Sequence, residues 1–288
     1  MKGKLLVGCS GWNYPDPADK GGWLGPFYPD PKTRFLNFYS KYFRTAEMDA
    51  TFYERFYSKM TQGTFIGIGK AATADFQFSL KVPETITHLN RMRPDSFPDF
   101  QAFLEKIGPL KRFNKLGVIL FQLPPSFTVG DFRTIEKFLD RLPRDYQYAM
   151  EFRHPSWETE GPWELLNKHN VAAVMTDSPE PGLQFLSEVL VTADHAFIRM
   201  HGRNKGFWYN YLYSDEEMLP WVEKADKIRE HTAVLRVYFN NHYGAKAVYN
   251  GLRFREMAGD ILSSNEKSML EQLKNYFSGR PIGQTRLT

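Results

Sequence analysis

LGVILFQL, residues 116–123, is apolar almost without interruption and too short for a buried helix. Two prolines, Pro124 and Pro125, follow it. A run of this kind reads as a strand covered on both faces, which is the habit of parallel sheets. Seven similar runs lie to either side. They are LLVGCS (5–10), TAEMDATF (45–52), FQFSLKV (76–82), YQYAMEF (146–152), VAAVMTD (171–177), HAFIRMH (195–201) and VLRVYFNN (234–241).

Helical patterns separate most of these runs. Leu36, Tyr39 and Phe43 fall at helical spacing, and PDFQAFLEKIGPL (98–110) precedes the fourth run. Phe132, Ile135, Phe138 and Leu139 form a stripe before the fifth, and PWELLNKHN (162–170) precedes the sixth. Ser214 and Glu217 have the spacing of a capping box that opens a helix reaching to about His231. AKAVYNGLRFREMAG (245–259) and NEKSMLEQLKNYF (265–277) finish the chain. Two units are irregular: Gly63, Gly67 and Gly69 weaken any helix in the third, and the link between the sixth and seventh strands is short and weakly helical.

Alternating strands and helices imply α/β structure with a parallel sheet, and eight units in under 300 residues suit a closed (β/α)8 TIM barrel. The expectation is a single domain over residues 1–288, with a long first βα loop (12–31) and an extra C-terminal helix. An open doubly wound sheet would more often carry a glycine-rich dinucleotide turn after its first strand, and GCSGW (8–12) lacks that spacing.

The chain has 288 residues, a net charge of +4 and 16% aromatic residues. At this length folding buries about three quarters of the surface without covalent staples. The mild basicity permits an anionic ligand, but a dedicated nucleic-acid binder carries a stronger, clustered excess. Cys9 is the one cysteine, so no intrachain disulfide forms, which fits a cytoplasmic location. No stretch approaches the roughly 20 apolar residues of a membrane span.

In a barrel of this kind function sits at the carboxyl ends of the strands. Polar residues gather there: Ser10 and Trp12 after strand one, Glu47, Asp49 and Thr51 of one parity on strand two, and Lys81 with Thr87 and His88 after strand three. Gln122 ends strand four, Glu151, Arg153 and His154 strand five, and Asp177 strand six. Arg199, His201 and Arg203 follow strand seven; Asn240, Asn241 and His242 follow strand eight. A charge inside a barrel needs a partner, and both signs are supplied. The set reads either as an ion-pair network closing the barrel top or as a binding site, and eight polar strand ends exceed what solubility needs.

At these residues the chain resembles the DUF72 family, also called YecE-like. The matching pieces are GCSGW (8–12), FYP (27–29), AEMDATFY (46–53), FSLKVPETITH (78–88), FQLPPSF (121–127), MEFRHPSW (150–157), TDSP (176–179), FIRMHGR (197–203) and YFNNHYGAKAV (238–248). The resemblance implies a TIM barrel of undefined activity. It also implies a polar mouth at Glu47, Lys81, Gln122, Glu151, Asp177, Arg199, His201 and Asn240. Asp49 departs from the pattern, where asparagine is more usual, and adds negative charge beside Glu47. Residues 63–75 also match poorly.

The leading functional expectation is an enzyme that binds a polar, phosphate-bearing sugar or nucleotide-type ligand at the mouth and hydrolyses it. Glu151 and Asp177, on adjacent strands, would handle protons. Lys81, Arg199 and Arg203 would hold the anion, with His201 beside them. Glu47, Gln122, Asn240 and His242 would position the substrate, and Trp12 and Trp157 would stack on its ring. The residue types also suit a hydrolytic metal site. However, no HExxH or HxH spacing appears and Lys81, Arg153 and Arg199 compete for the carboxylates, so no cofactor is assigned and a divalent metal is not favoured. Cys9 reads as core, Ser10 lacks a nucleophile elbow, and GIGK (67–70) lacks the Walker spacing. Two rival readings stand: a nucleic-acid-binding protein without catalysis, and a glycoside hydrolase working through two carboxylates.

Overall fold

A computed structural model describes residues 2–178 and 188–279. Eight strands pair in parallel and in chain order, and the last closes on the first. They are β1 (Lys4–Ser10), β2 (Thr45–Met48), β3 (Gln77–Lys81), β4 (Leu116–Gln122), β5 (Gln147–Glu151), β6 (Val171–Asp177), β7 (His195–Met200) and β8 (Val234–Phe239). The helices outside are α1 (Phe35–Tyr39), α2 (Glu54–Tyr57), α3 (Gln62–Ala71), α4 (Phe97–Arg112), α5 (Phe132–Leu139), α6 (Glu160–Lys168), α7 (Asp215–His231), α8 (Lys246–Met257) and the additional C-terminal α9 (Ser264–Phe277). This is the expected TIM barrel.

Strand alternation sorts the side chains. Val118, Leu120, Ala149, Ala172, Val174, Phe197 and Tyr238 form a small cluster inside the barrel. Their neighbours Ile119, Phe121, Met150, Met175, Ile198 and Val237 pack outward against the helices. Near the middle, the Tyr238 hydroxyl meets Thr45 Oγ1 at 2.6 Å and Ser79 Oγ at 2.8 Å. Polar layers lie above and below that apolar waist.

Two local expectations need correction. The third unit does contain a helix, α3, in spite of its glycines. Thr61 and Thr64 cap its start, Lys115 Nζ donates to the carbonyls of Gly69 and Ala72 at 2.7 and 2.8 Å at its end, and buried Phe65 anchors it. A Cβ at Gly69 would stand 2.7 Å from the Phe113 ring, so this glycine admits a neighbour. Strand two stops at Met48, and Asp49–Thr51 form a 3-10 turn. Thr51 therefore leaves the inward face and donates to the carbonyls of Lys81 (2.6 Å) and Met48 (2.9 Å). Of the link expected to be weakly helical, residues 179–187 lie outside the described residues.

The long first loop is held by its own aromatic residues. Trp23, Phe27 and Tyr28 are buried, and Trp23 Nε1 donates to the His242 carbonyl at 2.7 Å, fastening the loop to the end of β8. Ser214 and Glu217 form the expected capping box of α7.

Candidate active site

Arg199, on the inward face of β7, is the centre of the mouth. It is fully buried, which requires compensation of its charge. One terminal nitrogen donates to Glu151 Oε2 at 2.7 Å; the other donates to Glu47 Oε1 at 2.5 Å and stands 3.5 Å from Asp49 Oδ1. Its Nε is buried without an acceptor. Arg153 approaches Glu151 Oε1 at 2.5 Å and reaches Gln122 Oε1 at 3.4 Å. His201 Nδ1 meets Asn240 Nδ2 at 3.1 Å, which places the ring proton on Nε2, 3.5 Å from Glu151 Oε1. Glu47, Glu151, Arg199, His201, Gln122 and Asn240 thus come together in one network.

The carboxylates differ in state. Burial works against the charge of Glu151, but Arg153, Arg199 and His201 outweigh it and hold the carboxyl well below its ordinary range. Burial pushes Glu47 up to about 7, against the pull of Arg199 and with the negative charge of Asp49 adding to the rise. Burial also opposes ionisation of Asp49, but Arg199 and Lys81 prevail and lower it. Ser10 Oγ donates to Glu47 Oε1 at 3.0 Å, whereas Glu47 Oε2 is buried without a partner. Below about pH 7 the proton of this pair therefore resides on Glu47, with Asp49 ionised beside it.

Lys81 is buried, with Nζ 3.7 Å above the Phe52 ring. Burial brings its ammonium down to about 8. Burial likewise keeps His201 and His242 neutral, near 4.

Several expected roles are corrected. Asp177 has the parity of Met175, which faces the helices. Its carboxylate is filled by Arg203 at 2.9 Å through two nitrogens, Tyr213 Oη at 2.7 Å and Trp221 Nε1 of α7 at 3.3 Å. It therefore stands outside the barrel wall and does not pair with Glu151. Arg203 is engaged by Asp177 and Glu217, and Arg199 by three carboxylates, so neither guanidinium is open to a phosphate in the expected way. Trp157 is not a stacking platform: it is buried against Phe152, and its Nε1 donates to the Phe127 carbonyl at 2.7 Å. His242 lies between Tyr14 and Tyr209, with ring centroids at 4.7 and 5.0 Å, and serves the packing of the first loop.

A cleft of about 620 Å³ opens beside the network, lined by Ser10, Trp12, Tyr14, Asp49, Tyr53 and Phe56 among others. Trp12 is at the mouth as expected. Tyr14 and Phe56 were not singled out as site residues; lying in a loop and a short helix, they carry no periodic signal. Asp49 was read as a charged end of strand two and as a departure from the family pattern, and its two-residue spacing from Glu47 pointed to the pairing. Among the described residues no group of three or more His, Cys, Asp or Glu side chains is arranged to hold a metal ion, and no helix is long and apolar enough to cross a membrane.

The family model described as "Protein of unknown function DUF72" matches residues 6–272. The chain belongs to the DUF72 family. A family relative, the UPF0759 protein YunF of Bacillus subtilis, is 28% identical over 283 residues, covering 88% of this chain and 94% of YunF. The crystal structure of the DUF72 protein TM1631 of Thermotoga maritima superposes with a TM-score of 0.76 at 30% identity, covering 89% of this chain and all of TM1631. The DUF72 protein EF0366 of Enterococcus faecalis gives 0.72 at 21% identity, over 91% and 99% of the two chains, a likeness of fold alone.

Proposed function

We propose that this DUF72 protein is an enzyme that moves a proton to or from a small, uncharged, polar ligand, with hydrolysis as the reaction class. The Glu47–Asp49 pair is the proton carrier. The supporting observation is the state of Glu47: a buried carboxyl titrating near 7, one oxygen gripped by Arg199 and Ser10, the other without a partner. A general acid–base group works best when it titrates close to the working pH. Asp49 and Ser10 lie at the wall of the cleft, whose Trp12 and Tyr53 offer apolar faces to a ring. Lys81, half-way to a neutral amine near pH 8, is the complementary base.

The charge arrangement favours an uncharged ligand over the phosphate-bearing one expected from composition. The arginines of the mouth already face carboxylates, and an anion would have to displace them. Glu151, locked between two arginines, is a positioning group and does not act as the acid of a two-carboxylate glycosidase.

The test uses p-nitrophenyl glycosides and esters as neutral probes, with p-nitrophenyl phosphate as the charged one. Turnover of a neutral probe is expected, with a pH optimum between the Glu47 and Lys81 transitions. E47Q and D49N should each lower it by about 10²-fold or more while the circular dichroism stays that of the parent. The reading fails if both variants turn over the neutral probes like the parent, or if the phosphate ester alone is hydrolysed.

A further inference from the structure

The barrel floor holds a second buried arginine, treated in the opposite way from Arg199. Arg236 projects inward from β8 and is buried. Its terminal nitrogens donate to Gln147 Oε1 at 3.0 Å and Gln77 Oε1 at 2.7 Å, and its Nε, also buried, has no acceptor. Two neutral amides stand where Arg199 has three carboxylates. Burial pulls this guanidinium's pKa down, and the Tyr238 phenol is the one neighbouring group that offsets the effect. A buried cation without a counter-charge is unfavourable, so an anion that reached it would be held firmly.

The backbone bends around this cation. The register of β3 against β4 shifts between the pairs Phe78–Leu116 and Leu80–Ile119, a bulge that places Gly117 over the guanidinium. A Cβ on Gly117 would stand 3.3 Å from Arg236 Nε and 3.0 Å from Ser79 Oγ. The Phe78 carbonyl oxygen would stand 3.2 Å from it as well, so the glycine lets the strand pass close over the unpaired N–H. A cavity of about 400 Å³ lies there, lined by Arg236, Gln77, Gln147, Gly117 and Arg144 among others. The two acidic residues on its wall are occupied: Asp145 pairs with Lys111, and Asp194 accepts from Asn170 and contacts His195.

We propose that this floor cavity binds a tetrahedral oxyanion, free or as the terminal phosphate of a small metabolite, with Arg236 as its counter-charge. The site is separate from the mouth and does not depend on the reading given to it. Guanidinium groups suit such anions because two parallel N–H donors match two oxygens, and three of the five N–H donors of Arg236 remain beyond those given to the glutamines.

The experiment measures the thermal midpoint and binding heat of the full chain with inorganic phosphate and with glycerol 3-phosphate, at constant ionic strength. Saturable binding at one site is expected, with a midpoint rise of about 4 °C at saturation. R236M removes the charge, and G117A keeps the charge but presses a methyl group against the guanidinium and Ser79; each should weaken phosphate binding by about tenfold or more, whereas E47Q at the mouth should leave it unchanged. If R236M does not fold, G117A decides. Tenfold tighter binding of glycerol 3-phosphate assigns a phosphomonoester, and equal binding assigns the free anion. The proposal is overturned if the parent shows no saturable response to either probe, if G117A responds as the parent does, or if E47Q alone abolishes the response.

Discussion

Burial raises the Glu47 carboxyl, Arg199 opposes the rise and Asp49 adds to it. In D49N the negative neighbour is gone while Arg199 stays, so the Glu47 carboxyl should titrate clearly below 7. Carboxyl-region infrared difference spectra or ¹³C NMR of labelled glutamate would register the change, and an unmoved transition would assign the shift to burial alone. Truncating the centre has a larger effect. R199M leaves Glu47 and Glu151 buried without their shared cation, and a loss of about 3–5 kcal/mol is expected in urea unfolding. At this scale the sequence was legible in type but not in pairing. Strand ends and parity located Glu47, Lys81, Glu151 and Arg199. They also placed Asp177 beside Glu151, because adjacency of strands says nothing about which side of the wall a terminal residue faces. Trp157 likewise sits in a mouth segment by sequence, yet hydrogen bonding and packing draw it inward.

Helix α3 shows how a neighbouring element overrides local preference. Its glycines count against a helix, yet the end is capped from outside by Lys115, a buried residue just before β4. K115M should remove both charge-assisted bonds and destabilise the protein by about 2–4 kcal/mol, with α3 amides gaining hydrogen exchange before those of α4. A loss under about 0.5 kcal/mol would mean that the packing of Phe65 suffices. A long-range cap of this kind has no signature in a single sequence, because Lys115 and Gly69 are distant in the chain. Helices α7 and α9 could be placed from Ser214–Glu217 and from the apolar pattern of 265–277. Eight apolar runs likewise fixed the strands to within a few residues, apart from β2, which a 3-10 turn cuts short.

The molecule as a whole should lose stability in mild acid. His88, His201 and His242 are each pushed by burial to about 4, so unfolding takes up their protons as the pH falls from about 6.5 towards 4. Glu47 works the other way: its folded carboxyl binds a proton more tightly than the unfolded one, which adds stability as the pH falls from about 7 to 4.5. Three histidines outweigh one glutamate. The urea midpoint should be lower at pH 5 than at pH 7, and the drop should be steeper in E47Q, where the opposing group is gone. An equal midpoint at the two pH values would show that the histidines are not held neutral. The closure of β8 on β1 bears on how the chain is made. That seam runs over six residue pairs and is tied at one end by Gly3 to Arg229, at 2.7 and 2.8 Å, and at the other by Trp23 to His242. A polypeptide emerging from the ribosome therefore carries one bare, apolar strand edge through most of its synthesis. Nascent chains halted before residue 239 should consequently be captured by chaperones and cut by protease, and resistance should arise only once the last strand has been released.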